Sequence, residues 1–212
     1  MNYYPVNLNL ENKRCLVAGA GRVAERKVRR LLECGAQVLV VSPEITPFLK
    51  TLAEKRKIIF KKRCVNLTDL NGIYLAISAT GDRKINSLIS SYCHRKGILV
   101  NIVDSPKECN FILPSVARRG NLTITVSTDG MSPALSKKIR RDLEQRFGAE
   151  YAKLLRIMAK LRPEVLRKIK NSKARKAFFQ KVIQADILNL LKKNKERQAR
   201  EKIRAILDNA GL

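Results

Sequence analysis

A pair of glycines between a short apolar run and an amphipathic run constrains this chain more than any other feature. Gly19-Ala20-Gly21-Arg22-Val23-Ala24 follows Arg14 to Ala18, which reads as a strand. It opens a helical run to about Cys34, in which Ala24, Val28, Leu31 and Leu32 form one apolar stripe and Glu25, Arg26, Arg29 and Arg30 lie off it. Gly35 stands where such a helix should stop. The spacing matches G-x-G-x-x-A. Gly19 allows the tight turn, Gly21 lets a pyrophosphate approach the backbone, and the small Ala24 lets helix and strand pack closely. The free N–H groups and the dipole at the helix start favour negative charge at that point. A strand, a glycine turn and a helix in this order predict an α/β chain that binds a dinucleotide on a Rossmann-like parallel sheet.

The pattern continues in kind. Further strands read at Gln37 to Val41, Lys57 to Phe60, Ile73 to Ser78 and Leu99 to Val103, with helical patterns between them. After the fifth strand the alternation ends. Phe111 to Val116 and Leu122 to Val126 read as two more strands, joined by an Arg118-Arg119-Gly120-Asn121 turn. Ser132-Pro133 supplies an N-cap and a first-turn proline for a helix running to about Phe147, and Gly148 terminates it. The rest reads as helical, with breaks expected near Arg162-Pro163 and Asn171-Ser172. Three parts follow: a Rossmann-like domain over 1–112, a small α+β segment over 113–149 and a helical C-terminal domain over 150–212.

Composition narrows the function classes. The formal net charge is +26. Residues up to 112 hold 19 basic and 9 acidic side chains, and those beyond hold 25 and 9. Such an excess attracts polyanions: nucleic acid, an anionic membrane surface or a multiply carboxylated small molecule. The competing explanation is that most of these side chains form solvated helix faces. No apolar run approaches the roughly 18 residues of a membrane span, and the polar start Met1-Asn2-Tyr3-Tyr4-Pro5 lacks a signal peptide's basic and apolar regions. The cytoplasm is the expected location. Five widely spaced cysteines imply no disulfide framework, and a lone His94 without a C-x-x-C pair or an H-E-x-x-H motif predicts no metal site.

Candidate binding residues sit where strands end. The second strand closes in Ser42-Pro43-Glu44, so the acidic residue expected on the ribose is displaced to Glu44 and the motif alone does not decide between NAD and NADP; the absence of an arginine at 42 to 46, where a 2′-phosphate would need one, leans toward NAD. Thr80 and Asp82 follow the fourth strand and Asp104 the fifth, on the carboxyl edge where open α/β sheets bind ligands. Asp104 is the best candidate for chemistry; its ordinary alternative is to cap the turn at Ser105-Pro106. Ser127-Thr128-Asp129-Gly130-Met131-Ser132-Pro133 joins a strand to a helix through hydroxyls and a glycine turn. It is either a carboxylate-holding junction or an ordinary capped connection.

Together these segments resemble the precorrin-2 dehydrogenases, including the N-terminal half of bifunctional and trifunctional sirohaem synthases. The resemblance rests on 19–27, Ala79-Thr80-Gly81-Asp82, Asn101-Ile102-Val103-Asp104, Asn110-Phe111-Ile112-Leu113-Pro114-Ser115 and Ser127 to Pro133, in family order over about residues 3 to 145. It implies NAD-dependent oxidation of precorrin-2 to sirohydrochlorin, with Asp104 as the catalytic aspartate. It implies cofactor contacts at Gly19, Gly21, Arg22, Val23, Pro43, Glu44, Thr80, Asp82, Asn101 and Val103. Substrate contacts are implied at Asn110, Phe111, Ser127, Thr128, Gly130, Ser132 and Lys137. It also implies a homodimer built largely through the segment after residue 113. A tetrapyrrole bearing acetates and propionates is itself a polyanion, which gives the charge a use at Arg118, Arg119, Lys137 and Lys138.

Some members of the family also insert ferrous iron into sirohydrochlorin without a His/Cys site, so the missing metal motif leaves that activity open. No methyltransferase domain is expected after residue 212. Two readings compete. A non-catalytic NAD-sensing module would need neither Asp104 nor the Ser127 to Pro133 junction. A nucleic-acid binder lacks a recognition helix with its turn, and aromatic content of 5% offers few stacking platforms.

Overall fold

The structure, a computed structural model, describes residues 3–208, so the first two residues of the polar start lie outside the described residues. The chain divides into two compact units, Met1–Leu113 and Pro114–Leu212.

In the first unit β1 (Arg14–Ala18), β2 (Gln37–Val41), β3 (Ile59–Lys61), β4 (Leu75–Ser78) and β5 (Leu99–Ile102) form one sheet in the order β3-β2-β1-β4-β5. Every pairing is parallel, and β1 lies at the centre, in register with β2 from Arg14↔Gln37 to Ala18↔Val41 and with β4 from Cys15↔Leu75 to Ala18↔Ser78. Helices α1 (Arg22–Glu33), α2 (Pro47–Glu54) and α3 (Arg83–Lys96) make the crossovers. Strands β1, β2 and β4 are apolar on both faces because both are covered. Side chains alternate along β1: Cys15 and Val17 join the core beneath α1 and α2, while Leu16 and Ala18 join the core beneath α3. The chain order reverses between β1 and β4, and the β1–α1 turn therefore opens onto a crevice at the carboxyl edge.

The second unit begins with an antiparallel hairpin of β6 (Ser115–Arg119) and β7 (Leu122–Val126). It continues through α4 (Pro133–Arg146), α5 (Ala149–Lys168), α6 (Ser172–Gln184), α7 (Ile187–Lys192) and α8 (Glu196–Asp208). Leu154, Ile157, Val165, Phe178, Val182, Ile187, Leu191 and Ile203 form its helical core.

Several expectations need correction, the fourth strand among them: it begins at Leu75 rather than Ile73, whose N–H closes a turn on Leu70 O. The third strand begins at Ile59 rather than Lys57, because Arg56 and Lys57 turn back on the end of α2, with Arg56 at φ +52° and Lys57 N–H donating to Leu52 O. The sixth strand spans Ser115–Arg119 rather than Phe111 to Val116, because pairing with β7 sets the register and leaves a two-residue Gly120-Asn121 loop, with Gly120 at φ +56°. Arg118 and Arg119 are thus strand residues. No break occurs at Pro163: α5 runs through it. A proline removes one N–H, and the buried Leu154, Ile157 and Val165 that flank it hold the helix together. The break at Asn171-Ser172 is present, and Asn171 caps α6 by accepting from the Lys173 and Ala174 N–H groups.

Candidate active site

A cleft of about 450 Å³ opens at the carboxyl edge, walled by the turns that follow β1, β2, β3 and β4. Gly19 makes its first wall. Its φ is +95°, and a Cβ there would stand 2.6 Å from the Ala79 carbonyl oxygen, so the end of β1 passes β4 at a distance only glycine permits. Gly21 has a different task. It is the N-cap of α1, φ −81°, and a Cβ on it would meet nothing within 4 Å. What it keeps open is space beside the first N–H groups of α1, at Arg22 and Val23, which have no intrahelical partner. A phosphate-sized cradle at a helix N-terminus is the site a dinucleotide needs, and the residues present fit it.

Opposite the glycines, Ser42, Pro43, Glu44, Ile45 and Thr46 carry the chain from β2 into α2. Thr46 is the N-cap of α2, yet its hydroxyl bonds no helix N–H and is buried without a partner. Cys64 and Val65, after β3, line the same cleft. Behind them Asp69 accepts from Lys61 at 2.8 Å and from both guanidinium nitrogens of Arg63, which hold its carboxyl well below the usual carboxylate range. That buried knot fixes the β3 segment against the cleft.

After β4 a hydrogen-bonded chain sets the third wall. Ser78 Oγ and Thr80 Oγ1 both donate to Asn86 Oδ1, Asn86 Nδ2 donates to Thr80 O, and Thr80 Oγ1 accepts from Asp82 N–H. Asp82 caps α3, accepting the Lys84 and Ile85 N–H groups at 2.9 and 3.1 Å. Thr80 and Asp82 are thus cleft residues whose side chains also build the wall.

Asp104 follows β5 in the left-handed region, φ +60°. It is exposed, and among the described residues its carboxylate accepts no hydrogen bond, so it does not cap the Ser105-Pro106 turn. A non-glycine residue held in that conformation with a free carboxylate is what a site for chemistry leaves available. The following segment is fixed by other groups. Glu108 accepts from the Ser87 and Ser105 hydroxyls, which hold its carboxyl below its ordinary value, and the Cys109 sulfur accepts from the Ile102 N–H at 3.1 Å. Burial pushes the Cys109 thiol up.

The structure brings Gly19, Gly21, Pro43, Glu44, Thr80 and Asp82 onto one cleft, with Arg22 and Val23 in the adjoining helical turn. Asn101 and Val103 lie by β5, outside the cleft wall; the Asn101 amide donates to Phe111 O, and Val103 packs on the core. Asn110 has a structural task. Its amide accepts from Val100 N–H and donates to Ile98 O, extending β5 in place of a neighbouring strand, and Phe111 is half-buried against the core. In the second unit the hydroxyls of Ser127, Thr128 and Ser132 bond within their own turn: Ser127 to Asp129, Thr128 to Ser132, and Ser132 to Leu135 N–H. Gly130 takes φ +82° there, and Lys137 is exposed on α4. Sequence reasoning missed Ser42, Ile45, Thr46, Cys64, Val65, Ile85 and the buried Asn86. Position just past a strand end would have flagged Ser42, Cys64 and Val65; nothing local marks Asn86.

Comparison with known proteins accounts for the chain in three consecutive pieces. Residues 6–115 match an NAD(P)-binding family, 119–146 the central region of sirohaem biosynthesis proteins and 150–207 the dimerisation region of sirohaem synthase. The chain belongs to the sirohaem synthase N-terminal family. Curated members include the sirohaem synthases of Nitrosococcus oceani, 35% identical over 98% of this chain, and Methylobacillus flagellatus, 35% identical over 100% of it. The chain spans 44% and 45% of those two relatives, less than half their length. A solved member titled SirC, precorrin-2 dehydrogenase, superposes with a TM-score of 0.80 at 26% identity, covering 96% of this chain and 100% of that one. The family's fold is therefore this fold, from the parallel sheet to the C-terminal helices. Its nicotinamide-binding part coincides with the sheet that carries the glycine cradle.

Proposed function

We propose that this chain oxidises precorrin-2 to sirohydrochlorin with NAD as acceptor. One observation carries the reading: a free carboxylate, Asp104, stands in a left-handed conformation on the same sheet edge that bears the dinucleotide cradle. Its weight comes from the kinship with SirC, whose whole length this chain matches. Gly19, Gly21 and the first turn of α1 would hold the pyrophosphate, and Glu44 would accept from the adenosine ribose. Bound there, NAD supplies a hydride acceptor. Asp104 takes a proton from the macrocycle or orients it, which requires the carboxylate form. The acetates and propionates of the substrate make it a polyanion of the kind the chain's excess of basic side chains attracts. The dimerisation region at 150–207 supports a homodimer, built largely after residue 113. Among the described residues no helix is long and apolar enough to cross a membrane.

The test is anaerobic. Purified protein with precorrin-2 and NAD should yield NADH together with the absorption of sirohydrochlorin, and Asp104→Asn should lower the rate by about 10²–10⁴-fold, the usual contribution of a general acid–base group. A wild-type protein that does not turn over would end the proposal. Replacing NAD by NADP reads the cofactor preference, and ferrous iron added to the product asks whether the chain also inserts the metal.

A further inference from the structure

Two local rules fail in the segment after β5. Ile102 O accepts from Ser105 N–H at 3.3 Å, closing a four-residue turn with Val103 and Asp104 at its centre. Of these two, Asp104 alone has a positive φ, +60°, at the position that such turns give to glycine or asparagine. Ser105-Pro106-Lys107-Glu108 then reads S-x-x-E, the sequence of a capping box, in which the serine hydroxyl accepts from the glutamate N–H and the glutamate carboxylate accepts from the serine N–H. Neither bond forms. The Ser105 N–H is taken by Ile102 O, the Glu108 N–H by Ser105 O at 3.1 Å, and the Ser105 hydroxyl donates to the Glu108 carboxylate at 2.7 Å. The other carboxylate oxygen reaches out of the turn and accepts from the Ser87 hydroxyl of α3. One turn along that helix, the Ser90 hydroxyl donates to the Glu108 carbonyl at 2.7 Å. Ser87 and Ser90 share a helix face. Asn86, on another face, binds Ser78 and Thr80 in the wall of the cleft. One helix thus grips the cofactor cleft on one side and the Asp104 turn on the other.

We propose that Glu108 is a positioning residue for Asp104: it ties the turn after β5 to α3 and so holds the Asp104 carboxylate at a fixed place relative to the cleft. The inference rests on the dehydrogenase reading for its purpose. A non-glycine residue keeps a left-handed conformation where its surroundings over-determine it. Among the described residues the Asp104 side chain has no hydrogen bond, so the constraint reaches it through the backbone. The turn closes on itself through its own N–H groups and through the Cys109 sulfur, which accepts from the Ile102 N–H. Its link to a second element at Glu108 is made by the two serines of α3. The charge of Glu108 does not explain its presence, because an anion close to a catalytic carboxylate opposes the ionised form that the chemistry needs. What the site gains is the tie.

Three variants test it in the anaerobic assay. Glu108→Ala removes the tie and should lower kcat by about tenfold or more, since a reacting group displaced by about 1 Å can cost about 10²-fold. The Kd for NAD should stay as in wild type, because Asn86 still holds the cleft wall. Glu108→Gln keeps an acceptor for one serine hydroxyl and offers the other a donor, so kcat should stay within about threefold of wild type. Ser87→Ala cuts the link to α3 from an exposed position, and should lower kcat by about threefold or more with a melting temperature close to that of wild type. Should Glu108→Ala not fold, Ser87→Ala decides, and a kcat equal to wild type there overturns the proposal. Crystal structures read φ at Asp104 without turnover: left-handed in wild type and Glu108→Gln, changed in Glu108→Ala. An Asp104 that stays left-handed in Glu108→Ala overturns the proposal, as does an unchanged kcat in that variant or a Glu108→Gln as slow as Glu108→Ala. A turn that moves in Glu108→Ala, in a protein whose wild type does not oxidise precorrin-2, upholds the tie and ends the dehydrogenase reading alone.

Discussion

At Gly19 and Gly21 the same amino acid serves two physical ends, and substitution separates them. Alanine at 19 would have to adopt φ +95° and place its Cβ 2.6 Å from the Ala79 carbonyl oxygen. The conformation alone costs on the order of 1–3 kcal/mol, and the clash adds to it. Gly19→Ala should therefore lower the melting temperature and weaken NAD binding together. Gly21 sits at φ −81° in open space, so Gly21→Ala should leave the melting temperature within about a degree while calorimetry finds NAD bound at least about tenfold more weakly, because the methyl group lies beside the helix N–H groups. Equal losses of stability in the two variants would contradict this division. The motif made both glycines legible in the sequence. It could not assign their separate tasks, because the contact of Gly19 is with a strand that follows about sixty residues later, an approach only the folded sheet creates.

Elements show where local pattern was enough and where tertiary contacts overrode it. Strands β1 and β2 were readable to the residue because both faces are buried and a continuous apolar run has sharp ends. β3 is an edge strand of three residues with Ile59 64% exposed, and its ends are set by pairing rather than by pattern. Its anchor is Asp69, 4% exposed, bonded to Lys61 and Arg63. Asp69→Asn should destabilise the protein by about 2–3 kcal/mol at neutral pH, less than for a fully buried pair because both cations remain partly exposed. The sign with pH follows from the depressed carboxyl. Its stabilisation is complete above the unfolded-state value of about 4 and is lost as pH falls from there through the folded-state value, so urea denaturation should find the gap between wild type and variant beginning to narrow below about pH 4 and closing only below that depressed folded-state value. Helix α5 is the opposite case. Its Pro163 was a reasonable breaker by propensity, and the helical core keeps the helix continuous regardless. Pro163→Ala should then raise stability by about 1–3 kcal/mol, provided the restored N–H finds its carbonyl one turn back; an unchanged melting temperature would mean the helix has already adjusted to the gap.

At the scale of the whole molecule the excess of positive charge has two consequences. Two copies each carrying +26 repel one another, so a dimer should tighten as salt rises, and light scattering should report twice the 24.0 kDa chain mass more completely at moderate than at low ionic strength. Capture of a carboxylated macrocycle should respond the other way, with KM for precorrin-2 rising with salt as steering is screened. By itself the sequence determined the class of fold, the dinucleotide turn, most of the strand and helix order and the candidacy of Asp104, because these depend on periodicity and on residue types that few local conformations accept. Only the tertiary structure decided the rest. It showed the Asn110 amide completing the edge of β5 and, among the described residues, the Asp104 carboxylate left without a hydrogen bond. Each depends on how segments meet after folding, and no local pattern encodes which polar groups will find partners once the strands are laid side by side.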